Sequence, residues 1–338
     1  MPNNTLNVDE VTFESPQKDK GSQPFKIAAK RYTSELCRTD GVTLVFAHGT
    51  GFHKESWEPT LERLMSLQSE CPGGRAIREA WSFDAPSHGH SAFLNGKTLS
   101  HRMNDVSISE IGAAIVSLVT SPYLEGHRII AIGHSAGTSA VMYSTKLYHP
   151  ADIPYEAIVL IEPPMIDRAV FNQNLKDRQS QIGYISKALL KQQSVWSNLE
   201  EARAWFKSRP PWNTWNENAF DLFMKHGLKE IIPGGEITPR CTKQQEVYAF
   251  TDFEPTFEAM DQIALVCKKV PIHVVFGGVN DMVPRYSQDT VIDATKGREV
   301  SSVIRIPGAG HLIVQQFPDK LAEYIFKLLS CGTSASKL

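Results

Sequence analysis

No stretch of this 338-residue chain approaches the run of about eighteen apolar positions that a membrane-crossing helix requires. Its beginning, MPNNTLNVDEVTFES, has no basic segment leading into an apolar one, so no secretory signal is read and a soluble, intracellular protein is expected. Charge of one sign is equally scarce. The chain sets 35 lysines and arginines against 37 aspartates and glutamates, a formal net charge of -2 without long blocks. That balance gives no reason to expect nucleic acid or an anionic membrane as a partner. Cysteine is sparse too: the five, Cys37, Cys71, Cys241, Cys267 and Cys331, are odd in number, scattered and without a CxxC pair. Neither a disulfide framework nor a cysteine metal site is expected. His88 and His90 stand two apart, but no set of acidic or cysteine partners clusters with them, and no metal is expected. The glycines form neither GxGxxG nor GK[ST] behind a strand, so no nucleotide cofactor is read, and the expected cofactor list is empty.

What is present is apolar content of 41%, enough to bury a large core. Short β-branched runs at 42–47, 128–132, 157–161, 272–276 and 302–306 are bounded by Gly or Pro and read as buried parallel strands. Helical periodicity at 106–120, 138–148, 287–295 and 318–329 supplies the crossovers that parallel strands need. The fold class is therefore α/β, and 7–15 with 25–33 reads as a leading hairpin. Residues 164–260 break the alternation. They carry Trp196, Trp205, Trp212 and Trp215 and the breakers SRPPWNTW and IIPGGEITP, and no strand is read in them. The expected organisation is a core of 1–163 and 261–330, a helical cap over 164–260, and a tail over 331–338. The simpler role for the cap's tryptophans is packing it onto the core; a pocket-lining role rests on position alone. The tail ends in Ser336, Lys337 and Leu338, which match the peroxisomal address read by an import receptor, so a peroxisomal matrix location is expected.

The stretch IIAIGHSAGTSAV places Ser135 on a corner between a strand and a helix, with glycines two positions away on either side. Small neighbours let backbones approach there, and the corner presents a hydroxyl at a helix N-terminus. Serine is a weak nucleophile until a base takes its proton, and the base needs a carboxylate behind it. Among eleven histidines, His311 lies in IPGAGH, on a loop between the last strand and the last helix. His134 sits inside the elbow with its side chain read as directed away, and His88, in DAPSHGHS, reads as a loop stabiliser. Two acids occupy strand ends: Asp281 in VVFGGVNDMVP and Glu162 in IVLIEPP. An oxyanion would need two donors, and the backbone N–H groups of Thr50, in AHGTGF, and Ala136 are the candidates.

HGTG, GHSAG, VNDMVP and GAGH, in that order, resemble the α/β-hydrolase superfamily. AHGTGFHKESW, DAPSHGHSA, IGHSAG, LIEPP and the terminal SKL further resemble fungal peroxisomal hydrolases, a group with lipases and acyl-CoA hydrolases of toxin and polyketide pathways. The resemblance implies a mostly parallel eight-stranded sheet with a helical cap, and a triad of Ser135, His311 and an acid. In the superfamily the acid commonly follows the seventh strand, which gives Asp281; in some members it follows the sixth, which gives Glu162. Asp281 is placed first, while the peroxisomal resemblance favours Glu162. The expected activity is hydrolysis of an ester or thioester, with an acyl-CoA, a lipid ester or a secondary-metabolite precursor as the small-molecule substrate. Carbon–carbon bond hydrolysis or acyl transfer by the same residues is the alternative enzyme, and a silent ligand receptor the alternative of another class.

Overall fold

The structure, a computed structural model, describes residues 6–16, 23–70, 76–102 and 105–330; Cys71, Cys331, Ser336, Lys337 and Leu338 lie outside them. The strands are β1 (Asn7–Glu14), β2 (Lys26–Thr33), β3 (Val42–Ala47), β4 (Ile77–Phe83), β5 (Ile129–His134) and β6 (Tyr155–Ile161). A short ribbon follows, of β7 (Leu228–Glu230) and β8 (Ile237–Pro239), and then β9 (Ile272–Gly277) and β10 (Ser302–Ile306). The eight long strands form one sheet in the order β1-β2-β4-β3-β5-β6-β9-β10. Only β2 runs against its neighbours. All six side chains of β3, VTLVFA, are buried, as expected of a parallel strand covered on both faces.

Helices Glu58–Glu70 and Pro318–Ser330 cover one face through Leu61, Leu64, Leu321 and Ile325. Helices Ile108–Val119, Ala136–Lys146 and Phe253–Val266 cover the other through Ile115, Leu118, Met142, Met260 and Ile263. Two of these elements are not visible in the sequence pattern. In β4, IREAWSF, Arg78 and Glu79 interrupt the apolar run; the fold buries Glu79 by giving it Arg31 Nε and Nη2 at 2.9 and 2.7 Å and Trp81 Nε1 at 2.6 Å. Helix Glu58–Glu70 carries Glu, Gln and Ser between its apolar positions, which blurs its stripe.

Within 164–260 lie helices Arg168–Gln173, Leu175–Lys191, Leu199–Lys207, Glu217–Leu222 and Lys243–Ala249, with a π-turn at Phe223–Gly227. The β7–β8 ribbon is a departure from the strandless expectation: three residues a side, turned by PGG, are too short to show a period. Helix Phe253–Val266 runs through the expected boundary at 260 and buries Ala259, Met260, Ile263 and Val266 against the sheet. Trp196, Trp215, Phe206, Phe220 and Phe223 form an aromatic nucleus of the insertion. It packs on Phe52 and Leu312, and Asn216 N–H donates to the Gln315 carbonyl at 2.9 Å, which seats the insertion over the carboxyl ends of the strands. No helix among the described residues is long and apolar enough to cross a membrane.

Candidate active site

Strand β5 ends at His134, and Ser135 turns the chain with φ 50° and ψ -122° before helix Ala136–Lys146 begins. The flanking glycines are required by close approach. A Cβ on Gly133 would stand 2.6 Å from Gly137 and Thr138 backbone atoms, and one on Gly137 would stand 2.3 Å from the Ala47 carbonyl oxygen. Ser135 N–H donates to the Ile161 carbonyl at 3.0 Å and its carbonyl accepts Thr138 N–H at 2.8 Å, so the strained corner is pinned on both sides. The residue stays partly accessible at the end of the sheet.

His311 Nε2 lies 2.9 Å from Ser135 Oγ, and His311 Nδ1 lies 3.0 Å from Glu162 Oε2. A carboxylate at Nδ1 selects the tautomer that donates there and leaves the Nε2 lone pair facing the serine hydroxyl. Glu162 and His311 are 2% and 3% exposed. The second oxygen of Glu162 accepts Gly277 N–H at 2.5 Å, and Glu162 N–H donates to the Val275 carbonyl at 2.8 Å. The carboxylate at the ring is that of Glu162 and not that of Asp281, the sequence's first candidate. Asp281 instead accepts the backbone N–H of His311 at 2.8 Å, and a Cβ on Gly310 would stand 2.0 Å from its Oδ2. The reason is the turn after β6: φ of 52° at Glu162 swings that side chain toward the imidazole, while Asp281, farther along its loop, meets the main chain.

His134, from the elbow, donates from Nε2 to the His311 carbonyl at 2.9 Å. Burial, reinforced by the nearby His311, lowers its pKa to about 3, so it remains neutral while it holds that loop.

The HGTG loop follows β3 and touches the elbow: a Cβ on Gly49 would stand 3.1 Å from Ser135 Cβ. Gly51, with φ of 80°, donates its N–H to His88 Nε2 at 3.0 Å. Burial holds the His88 pKa well below the ordinary value, which keeps Nε2 an acceptor. His48 Nδ1 donates to the Gly49 carbonyl at 2.7 Å and its Nε2 accepts Ala85 N–H at 3.1 Å. Asp84, wholly buried, accepts Lys54 N–H at 2.7 Å, Lys54 Nζ at 2.9 Å and His90 N–H at 2.8 Å. Sequence reasoning passed over Asp84 and Lys54; their signal was their presence in DAPSHGHS, read there only for His88 and for resemblance, and in HKESW, read only as resemblance. Thr50 and Ala136 thus belong to backbone segments that meet near Ser135. Among the described residues, no group of three or more His, Cys, Asp or Glu side chains is arranged to hold a metal ion.

Comparison with known proteins gives consistent results. The model of the alpha/beta hydrolase family matches residues 44–324. The peroxisomal membrane protein LPX1 of Saccharomyces cerevisiae is 23% identical over 306 residues, spanning 84% of this chain and 74% of that protein. The crystal structure of the Saccharomyces cerevisiae peroxisomal alpha-beta-hydrolase Lpx1 superposes with a TM-score of 0.74 at 18% identity, covering 99% of this chain and 93% of that one. The Mycobacterium tuberculosis esterase Rv0045c gives 0.64 at 18% identity over 96% and 92%. A thioesterase domain from the curacin biosynthetic pathway gives 0.62 at 12% identity over 94% and 99%.

Proposed function

The chain belongs to the alpha/beta hydrolase family, and from that premise we propose that it is a serine hydrolase cleaving an ester or thioester through an acyl-enzyme. One observation carries the reading: the imidazole of His311 stands between the hydroxyl of Ser135, at 2.9 Å, and the carboxylate of Glu162, at 3.0 Å. In this mechanism Ser135 Oγ attacks the acyl carbonyl while His311 Nε2 takes its proton. Glu162 keeps Nδ1 protonated and stabilises the imidazolium that forms. Backbone N–H groups of Thr50 and Ala136 hold the oxyanion, each worth about 10² to 10³ in rate. His311 then protonates the leaving group, and water activated by the same imidazole releases the acyl group.

Residues 164–260 serve as a cap that shapes the acyl site, with Phe52 and Leu312 as the contacts through which it meets the catalytic loops. The terminal Ser336, Lys337 and Leu338 direct the protein to the peroxisome matrix through an import receptor, in keeping with the peroxisomal location in the names of the relatives. That compartment makes an acyl-CoA, a lipid ester or a secondary-metabolite precursor the natural acyl donor. Turnover of acyl-CoA thioesters and p-nitrophenyl esters, with identification of both products, tests the reading. Release of free acid by wild type and none by Ser135→Ala supports it; turnover unchanged in Ser135→Ala, or no turnover of any acyl compound, overturns it. Removal of Leu338 from a fluorescent fusion tests the address, and unchanged organelle targeting would remove that part.

A further inference from the structure

Helix Lys243–Ala249 of the insertion brings Glu246 against the HGTG loop. A Cβ on Gly51 would stand 3.4 Å from Glu246 Cδ and 3.5 and 3.6 Å from its two oxygens. Gly51 follows Thr50, one of the two proposed oxyanion donors, so this carboxyl lies one residue along the loop from that donor. Among the described residues no hydrogen bond or ion pair reaches it. The charged and titratable groups around it do not neutralise it. Lys243, on its own helix, extends its ammonium to the carbonyls of Leu190 and Gln192. His88 is neutral and already accepts from Gly51. Cys241 Sγ lies 3.2 Å from His88 Nε2, and burial, with Glu246 and Asp105 nearby, pushes its thiol pKa up, so it stays protonated. A carboxyl so placed is unneeded by the catalytic relay and unexplained by packing.

We propose that Glu246 is a specificity-determining residue of this site, which excludes acyl and leaving groups that carry negative charge close to the scissile carbonyl and favours uncharged or cationic ones. The inference rests on the serine hydrolase reading above. It also carries a pH dependence. Part of the residue remains accessible, and partial burial raises its pKa to about 7. Below neutrality the carboxyl is protonated and can donate to a substrate oxygen; above it, the site holds a full negative charge that repels another. Discrimination against anionic substrates therefore strengthens as pH rises from 6 to 8.

The test uses two fluorophosphonates of equal length, one ending in a methyl group and one in a carboxylate, with labelling rates of Ser135 read by intact mass. In wild type the neutral-to-anionic rate ratio rises about tenfold between pH 6 and 8; in Glu246→Gln it stays flat, because the amide cannot ionise. Equal ratios and equal pH trends in the two proteins overturn the role of Glu246 and leave the hydrolase reading standing. Absence of Ser135 labelling by either probe in wild type overturns both together. If Glu246→Gln does not fold, the wild-type ratio alone decides: a flat ratio from pH 6 to 8 overturns the proposal.

Discussion

Ser135 and Glu162 follow adjacent strands with nearly the same φ, 50° and 52°, and among the described residues no others besides glycines have positive φ. The two corners are stitched together, since Ser135 N–H donates to the carbonyl of Ile161, the residue before Glu162. Positive φ at a non-glycine residue costs about 1 to 2 kcal/mol. Here the surrounding register holds two such residues, and both side chains converge on one imidazole.

That convergence separates the two acids. Glu162→Gln replaces the acceptor at His311 Nδ1 and should lower kcat by about 10³ to 10⁴. Asp281→Asn keeps a carbonyl oxygen for the His311 backbone N–H and should cost no more than about tenfold. Steady-state kinetics on any hydrolysed acyl substrate ranks them; a larger loss in Asp281→Asn would contradict the assignment.

The glycines of the elbow give a stability test. Gly137→Ala would drive a Cβ to 2.3 Å from the Ala47 carbonyl, between backbones that cannot yield cheaply, and should destabilise by about 3 kcal/mol or prevent folding. Gly183 lies half-buried in helix Leu175–Lys191 with nothing within 4 Å of a Cβ. Gly183→Ala should stabilise by about 0.5 to 1 kcal/mol in urea unfolding.

Asp84 holds the loop that carries Thr50. Asp84→Ala would leave Lys54 Nζ buried with only Glu55 Oε1, at 2.9 Å, as an anionic partner. A loss of about 3 kcal/mol is expected in the same assay. Asp84→Asn, which preserves an acceptor for Lys54 N–H, should lose less.

Buried neutral histidines make the fold acid-sensitive. Burial depresses the pKa of His134 to about 3 and of His226 to about 4, and lowers those of His48 and His88. The unfolded chain thus binds protons that the native state refuses, so stability is full above about pH 6.5 and falls as pH drops below it. For His134 alone the loss by pH 5 is about 2 kcal/mol, 1.5 pH units below the unfolded value. Glu246 has the opposite sign: its raised pKa favours the native state at low pH, a contribution lost as pH climbs from about 4.5 to about 7. Melting midpoints should therefore fall from pH 7 to 5 in wild type, and Glu246→Gln should gain on wild type between pH 5 and 8.

Strands β3, β5, β6, β9 and β10 were legible because their apolar runs end at Gly or Pro, and Ser135 and His311 because each sits where such a run meets a turn. Strand β4 was hidden by Glu79, whose burial depends on Trp81 two places along the same strand and on Arg31, which pairing through the sheet brings close. The contest between Glu162 and Asp281 could not be resolved in sequence, since both follow strands; the left-handed turn at Glu162 decides which reaches the ring. Glu246 carried no local signal at all. Its place against Gly51 arises from how the insertion lies over the sheet, an arrangement that no short motif encodes.

The most direct test is intact-mass and peptide mapping after exposure to an uncharged fluorophosphonate. The account predicts a single adduct on Ser135, absent in Ser135→Ala and formed about 10³-fold more slowly in Glu162→Gln. An adduct on another residue, or none on the folded wild-type protein, would contradict it.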